Sequence, residues 1–191
     1  MVARKYVWLT ITVGLLFACA EPQMPKAYND SSKYTVAKNV LWASPDGFDL
    51  TMDIYTPTSG QASYPVLMIF HGGGWLINDK SIMDQMAQYI ATNGSYVVCN
   101  VNYRLLGDQD NTVTLDQIVS DVFGAVLWAK ENIGGYQGNR ERFAVTGDSA
   151  GAHLSAAVVN LGHRLSSGGY SPESLSFKPS YLPAGRSAEQ I

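Results

Sequence analysis

The pentapeptide Gly147-Asp148-Ser149-Ala150-Gly151 decides the fold of this chain, because a strand-like segment precedes it and a helix-like segment follows it. The residues from Arg142 to Thr146 predict the strand, and those from Ala150 to Leu161 predict the helix. A serine between two glycines at such a junction is typical of a nucleophile elbow, whose sharp turn leaves no room for larger flanking residues. Ser149 is therefore the candidate nucleophile.

A second glycine-rich motif, His71-Gly72-Gly73-Gly74-Trp75, follows another apolar strand, Val66 to Phe70. Attack of a serine on an ester carbonyl places negative charge on the carbonyl oxygen, and fixed backbone N–H groups stabilise that charge. Consecutive glycines let the main chain approach a substrate closely. The two motifs, each placed directly after an apolar strand, together predict an acyl-transfer site.

With these motifs the chain resembles the α/β-hydrolase esterases and lipases, in particular the hormone-sensitive-lipase-like branch. The similarity runs from about Leu50 to Leu161 and includes the segment Asn102-Tyr103-Arg104-Leu105. The resemblance implies a serine carboxylesterase that hydrolyses acyl or acetyl esters, including esters on carbohydrate, through an acyl-enzyme intermediate. It implies neither a metal nor another cofactor.

The resemblance also implies roles for single residues. By their positions in the motifs, Ser149 is the nucleophile, and the oxyanion hole consists of the backbone amides of Gly73, Gly74 and Ala150. The acid and the histidine of the catalytic triad are expected after the serine, in that order.

The strand patterns predict a mixed sheet. Tyr34 to Ala43 and the alternating segment Phe48 to Tyr55 flank the turn Ser44-Pro45-Asp46-Gly47, which indicates an antiparallel hairpin at one edge of the sheet, with Asp49, Thr51, Asp53 and Tyr55 on its polar face. Three further segments are continuous apolar runs, as expected for parallel strands that are buried on both faces: Val66 to Phe70, Tyr96 to Val101 and Phe143 to Val145.

The helix patterns complete the expected fold class. Met83, Met86, Ala87 and Ile90 share one helical face, and Asn93-Gly94 indicates where this helix ends. A longer apolar stripe runs from Leu115 to Leu127, with Thr114 and Gln117 placed as a capping box. The chain is thus expected to form the N-terminal part of an α/β-hydrolase fold, a mostly parallel, doubly wound sheet with an antiparallel edge hairpin.

The histidines of the chain do not supply an obvious catalytic base. His153 lies one helical turn after Ser149, and His163 is on the order of 20 Å away if the helix continues to it. The resemblance implies that His71 shapes the oxyanion loop, and Asp148 is expected to support the turn. The triad acid and histidine are therefore expected beyond Ile191, and we interpret the chain as an N-terminal fragment of a domain of about 250 residues.

The N-terminal sequence predicts export. Arg4 and Lys5 precede an apolar stretch, Tyr6 to Ala18, that is short for a membrane span, and Cys19 follows it. We expect a lipoprotein-type signal peptide at 1–18, a polar tether at 19–33 and, at 34–191, the N-terminal portion of an α/β-hydrolase domain whose C-terminal part is absent. Cys19 would carry the lipid and anchor the protein to a membrane, with an outer-membrane or cell-surface destination.

Composition limits the remaining alternatives. A net charge of −3 over 191 residues gives no basic surface for nucleic acid, so we expect none as a partner. Once a signal peptide has been cleaved before Cys19, Cys99 is the only other cysteine, so no internal disulfide is expected. Two other functions stay open at this point: a surface-anchored hydrolase-like module that binds without turnover, and a peptidase of the same fold.

Overall fold

The structure, a computed structural model, describes residues 30–162 and 178–186. The predicted signal peptide, Cys19, most of the predicted tether and His163 lie outside the described residues. These described residues contain five strands, β1 (Tyr34–Ala43), β2 (Leu50–Pro57), β3 (Tyr64–Phe70), β4 (Val97–Val101) and β5 (Gly138–Gly147). The helices are α1 (Asp84–Asn93), the short segment α2 (Asp108–Asn111), α3 (Leu115–Asn132) and α4 (Ala150–Leu161).

The strands form a single sheet with the order β1-β2-β4-β3-β5. β1 pairs antiparallel with β2, and β2 pairs antiparallel with β4. β3 pairs parallel with both β4 and β5. The predicted α/β class, with an antiparallel hairpin at one edge of the sheet, is confirmed.

Local sequence signals place most element boundaries. Asp46 and Gly47, in the predicted hairpin turn, have positive φ angles of 53° and 78°. The capping box at the start of α3 is complete, with the side chain of Gln117 accepting from the Thr114 amide at 2.8 Å. α4 covers the predicted range, and Gly94 caps the end of α1. Among the described residues, no helix is both long and apolar enough to cross a membrane.

The core lies on both faces of the sheet. Apolar side chains on one face pack against α1, in a cluster that contains Tyr55, Ile69 and Val98. The larger cluster on the other face packs against α3 and α4, and it includes Cys99. Cys99 is fully buried, and its burial raises the pKa of the thiol to about 12, so this cysteine is an inert core residue.

The alternating pattern of β2 was a misleading guide to burial. Asp53 and Tyr55 were expected on the polar side of the hairpin, but both are buried. β2 lies between β1 and β4, and α1 packs against the face to which these side chains belong. The Asp53 carboxylate is compensated by the ammonium groups of Lys38 at 2.8 Å and Lys80 at 3.3 Å, and by the Asn39 amide at 2.8 Å.

β5 also differs from its prediction. Phe143 to Val145 were expected to be buried on both faces, but Ala144 is exposed, and Phe143 and Val145 are half-buried. In the described part of the chain β5 pairs with β3 alone, so its other edge has no neighbouring strand.

The folded region also begins before Tyr34, because Asp30 caps a 3₁₀ turn at Ser31–Lys33.

Candidate active site

Both predicted motifs follow the carboxyl ends of neighbouring strands, on the same side of the sheet. Phe70 at the end of β3 lies opposite Val101 on β4 and Gly147 on β5. Because these strands are parallel, their carboxyl ends open into a shared crevice, where α/β proteins bind their ligands. The structure thus brings together segments that are more than seventy residues apart in sequence.

Ser149 occupies the turn between β5 and α4 in a strained backbone conformation. Its φ of 47° and ψ of −114° lie outside the regions that a residue with a Cβ atom ordinarily adopts. The residue is exposed to solvent. Such an outlier at a strand–helix junction is the backbone that a nucleophile elbow requires, and the role of Ser149 as nucleophile stays a prediction.

The flanking glycines are required by close backbone packing. A Cβ atom on Gly147 would lie 2.6 Å from the carbonyl carbon of Gly151, and one on Gly151 would lie 2.7 Å from the carbonyl carbon of Phe70. Both distances are too short for non-bonded atoms. The start of α4 therefore rests directly on the end of β3, and only glycines permit this approach.

The glycine loop, which we define as His71 to Trp75, has an unusual backbone. Gly73, Gly74 and Trp75 have φ angles of 126°, 62° and 63°. The Gly73 carbonyl accepts hydrogen bonds from the amides of Leu76 at 3.1 Å and Ile77 at 3.2 Å. The loop thus turns back on itself immediately after β3.

The glycine loop and the elbow are in direct contact. Asp148 packs over Gly72, where an added Cβ atom would lie 2.8 Å from the Asp148 Cγ atom. Among the described residues, the backbone amides of Gly73, Gly74 and Ala150 donate to no acceptor. They are therefore available to an anionic oxygen, and their assignment to an oxyanion hole stays a prediction.

His71 is a structural part of the glycine loop. It is buried, its ring stacks on Tyr103 at a centroid distance of 4.3 Å, and its Nδ1 lies 2.8 Å from the Gly72 carbonyl oxygen. Burial lowers the pKa of His71 below its ordinary value of 6.5, against the opposing effects of the Gly72 carbonyl and the Asp79 and Asp148 carboxylates. Because a carbonyl can only accept, Nδ1 carries the proton of a neutral imidazole.

His153 lies one turn along α4 from the serine. It is exposed, and its ring meets Trp75 edge-on at a centroid distance of 5.3 Å. Within residues 30–162 and 178–186, neither His71 nor His153 makes a hydrogen bond with the Ser149 side chain. This part of the chain therefore does not place a base on the nucleophile. Nor does it gather three or more His, Cys, Asp or Glu side chains that could hold a metal ion.

Sequence reasoning missed the residues that support the glycine loop from β4. Tyr103 contributes its ring and hydroxyl to His71, and Arg104 makes a two-pronged ion pair with Asp121 on α3, with distances of 2.9 Å from Nε and 2.8 Å from an Nη atom. One signal was visible, since Asp121 stands in an otherwise apolar stretch beside Val122 and Phe123. A carboxylate in such a position needs a buried partner.

Known proteins similar to this chain are esterases. The family model BD-FAE matches residues 52–172. The carboxylesterase NlhH of Mycobacterium tuberculosis is 32% identical over 113 residues, which cover 59% of this chain and 34% of the relative. A phenmedipham hydrolase of Pseudarthrobacter oxydans is 31% identical over 118 residues, covering 58% of this chain and 23% of that protein. The chain thus spans about a third or less of the length of these relatives.

Solved structures give the same fold. A thermophilic esterase from Thermogutta terrifontis superposes with a TM-score of 0.60 at 21% identity, over 80% of this chain and 51% of that one. The esterase of Pyrobaculum calidifontis gives a TM-score of 0.59 at 25% identity, over 68% and 40% of the two chains. Because the BD-FAE model covers more than half of the residues and the neighbours share the α/β-hydrolase fold, this chain belongs to the BD-FAE family of hormone-sensitive-lipase-like esterases.

Proposed function

We propose that the protein containing this chain is a serine carboxylesterase and that Ser149 is its nucleophile. The observation that carries the proposal is the strained, exposed backbone position of Ser149 beside a glycine loop with free amides. The carboxylesterases among its relatives support it. Because the chain spans only part of those relatives, the activity is proposed for the whole protein to which these residues belong.

In the proposed reaction, the Ser149 hydroxyl oxygen forms a bond to the carbonyl carbon of an ester, and its proton passes to a base. The carbonyl oxygen becomes an oxyanion that accepts from the amides of Gly73, Gly74 and Ala150. Collapse of this intermediate breaks the bond to the alcohol, which leaves with a proton. Water then attacks the acyl-enzyme, releases the acid and restores the serine. We place the base and its carboxylate partner outside the described residues.

Small acyl and acetyl esters, including acetyl esters on carbohydrate, are the substrates we propose to test first. The measurement is hydrolysis of p-nitrophenyl acetate by the protein and by its Ser149→Ala variant. Ser155→Ala is a matched control, because Ser155 lies on the same helix with its hydroxyl bonded to the Gly151 carbonyl at 2.9 Å. We expect Ser149→Ala to abolish turnover and Ser155→Ala to retain it. Equal rates of p-nitrophenyl acetate hydrolysis in the wild type and Ser149→Ala would refute the proposal.

A second function, a surface module that binds ligands without turnover, is favoured by one observation. In the described residues, neither His71 nor His153 makes a hydrogen bond with the Ser149 side chain. The same assay separates the two functions. A folded protein with no hydrolysis above background, and with unchanged ligand binding in Ser149→Ala, would favour the binding module.

We also propose that Cys19 anchors the mature protein to a bacterial membrane, with the outer membrane as its destination. The charged start, the apolar stretch and the cysteine occur in the order typical of a lipoprotein signal. The test compares the wild type with Cys19→Ser in detergent partitioning and intact-mass spectrometry. The wild type should carry covalent lipid, and lipid on the Cys19→Ser protein would refute the assignment.

A further inference from the structure

The carbonyl groups of the glycine loop are fixed one after another. His71 Nδ1 donates to the Gly72 carbonyl at 2.8 Å, and the Asn78 side chain reaches the same oxygen at 3.4 Å. The amides of Leu76 and Ile77 hold the Gly73 carbonyl. The Gly72 and Gly73 carbonyls are thus each held by donors within the chain.

These hydrogen bonds set the direction of the Gly73 and Gly74 amides. In a trans peptide, the C=O of one residue and the N–H of the next point in opposite directions within one plane. A fixed Gly72 carbonyl therefore aims the Gly73 N–H the other way, and a fixed Gly73 carbonyl does the same for the Gly74 N–H. The two amides are oriented by the hydrogen bonds of the carbonyls that precede them.

Tyr103 positions His71, the first residue of the glycine loop. Its ring stacks on the His71 imidazole with an interplanar angle of 10°, and its hydroxyl donates to the His71 carbonyl at 2.5 Å. Tyr103 is buried, and burial raises the pKa of its phenol above the usual range, so the hydroxyl stays a donor. Through His71, the tyrosine places the Nδ1 proton that fixes the Gly72 carbonyl.

The segment after Tyr103 is itself anchored to α3. The Arg104 amide donates to Asp121 at 3.0 Å, next to the ion pair between the two side chains, and Asp121 is fully buried. Two residues later, the Leu106 amide donates to the Trp75 carbonyl at 2.8 Å. The segment Tyr103–Leu106 therefore contacts both ends of the glycine loop, His71 and Trp75, and is itself fixed to α3 through Asp121.

We propose that Tyr103 is a positioning residue for the oxyanion hole, acting through His71 on the direction of the Gly73 amide. The catalytic part of this inference rests on the proposed esterase function. Its structural part, that the Tyr103 hydroxyl orders the glycine loop, stands independently of any turnover.

The test compares Tyr103→Phe with Tyr64→Phe. Phenylalanine at 103 retains the stacked ring and removes only the hydroxyl. Tyr64 is an equally buried tyrosine whose hydroxyl contacts Ser59 and the Gln61 amide, both at 3.1 Å, away from the glycine loop. Each variant deletes one buried phenol hydroxyl, so a general loss of stability should affect both.

We expect Tyr103→Phe to lower kcat for p-nitrophenyl acetate about tenfold or more, with KM within about twofold, because a misaligned oxyanion donor weakens transition-state binding. We expect faster hydrogen exchange at the Leu76, Ile77 and Leu106 amides, measured at a temperature where all proteins are folded. Tyr64→Phe should change neither quantity.

The outcomes separate the two proposals. Unchanged exchange in the loop, or equal changes in both variants, would overturn the role of Tyr103. Faster exchange with unchanged kcat would overturn its part in catalysis. If the wild type neither hydrolyses ester nor depends on Ser149, the proposed function fails and with it the catalytic part, whereas the exchange measurement still decides the structural part.

Discussion

Gly73→Ala is the substitution for which the structure predicts the most specific effect. At φ = 126°, an alanine is strained whatever space surrounds it. Its Cβ atom would also lie 2.9 Å from the side-chain nitrogen Nδ2 of Asn78 and 3.0 Å from the Ile77 carbonyl carbon. The loop must therefore shift, and the Gly73 N–H shifts with it. Loss of one oxyanion donor corresponds to about 3–4 kcal/mol of transition-state stabilisation, or about 100- to 1,000-fold in kcat.

Gly60→Ala is the matched control, in the connection between β2 and β3. Gly60 also has a positive φ, 82°, but nothing lies within 4 Å of an added Cβ atom. Alanine there costs about 1–2 kcal/mol of backbone strain without displacing a neighbour. Hydrolysis of p-nitrophenyl acetate and urea unfolding should both be measured. We expect both variants to lose stability and only Gly73→Ala to lose kcat by two orders of magnitude; similar kcat values in the two variants would refute the reasoning.

Three further predictions follow from the supporting structure. Asp121→Ala removes the buried partner of Arg104 and leaves its guanidinium paired with the exposed Asp46 carboxylate at 3.3 Å, so urea unfolding should show a loss of about 3 kcal/mol, and a loss below about 1 kcal/mol would contradict the packing. Burial depresses the pKa of His71 in the folded state, so the unfolded state takes up a proton first and stability should fall as pH drops below 6.5. A His71→Asn variant should lack that step, and an identical pH profile in both proteins would show that His71 is not its source. Among the described residues, one edge of β5 has no neighbouring strand, so we expect the 191-residue chain to self-associate and Ala144→Lys to reduce this in size-exclusion chromatography; a wild type that elutes as a monomer would disprove it.

Local signals carried most of what the sequence predicted correctly. The elbow helix was recognised from the glycine–serine–glycine turn, and the start of α3 from the spacing of Thr114 and Gln117. These features depend on hydrogen bonds and sterics within a few residues. The burial of the edge hairpin and of β5 depends instead on which strand lies next to which. The predicted exposure of Asp53 and the predicted burial of Ala144 were therefore both wrong.

The supporting contacts of the site could not be predicted in the same way. Tyr103 reaches His71 across 32 residues, and Arg104 reaches Asp121 across 17. The resemblance to esterases drew attention to the segment Asn102 to Leu105 but gave it no role. Its role depends on the pairing of β3 with β4, which places the carboxyl ends of both strands next to the turn that holds Ser149.

The central claim is that Ser149 forms a covalent intermediate. Its most direct test is treatment of the protein with a fluorophosphonate or with p-nitrophenyl acetate under rapid quench, followed by peptide mass spectrometry. We predict a single adduct on the peptide that contains Ser149, absent from Ser149→Ala and unaffected by Ser155→Ala. Hydrolysis at the wild-type rate with no adduct on Ser149, or with the adduct on another residue, would contradict the account.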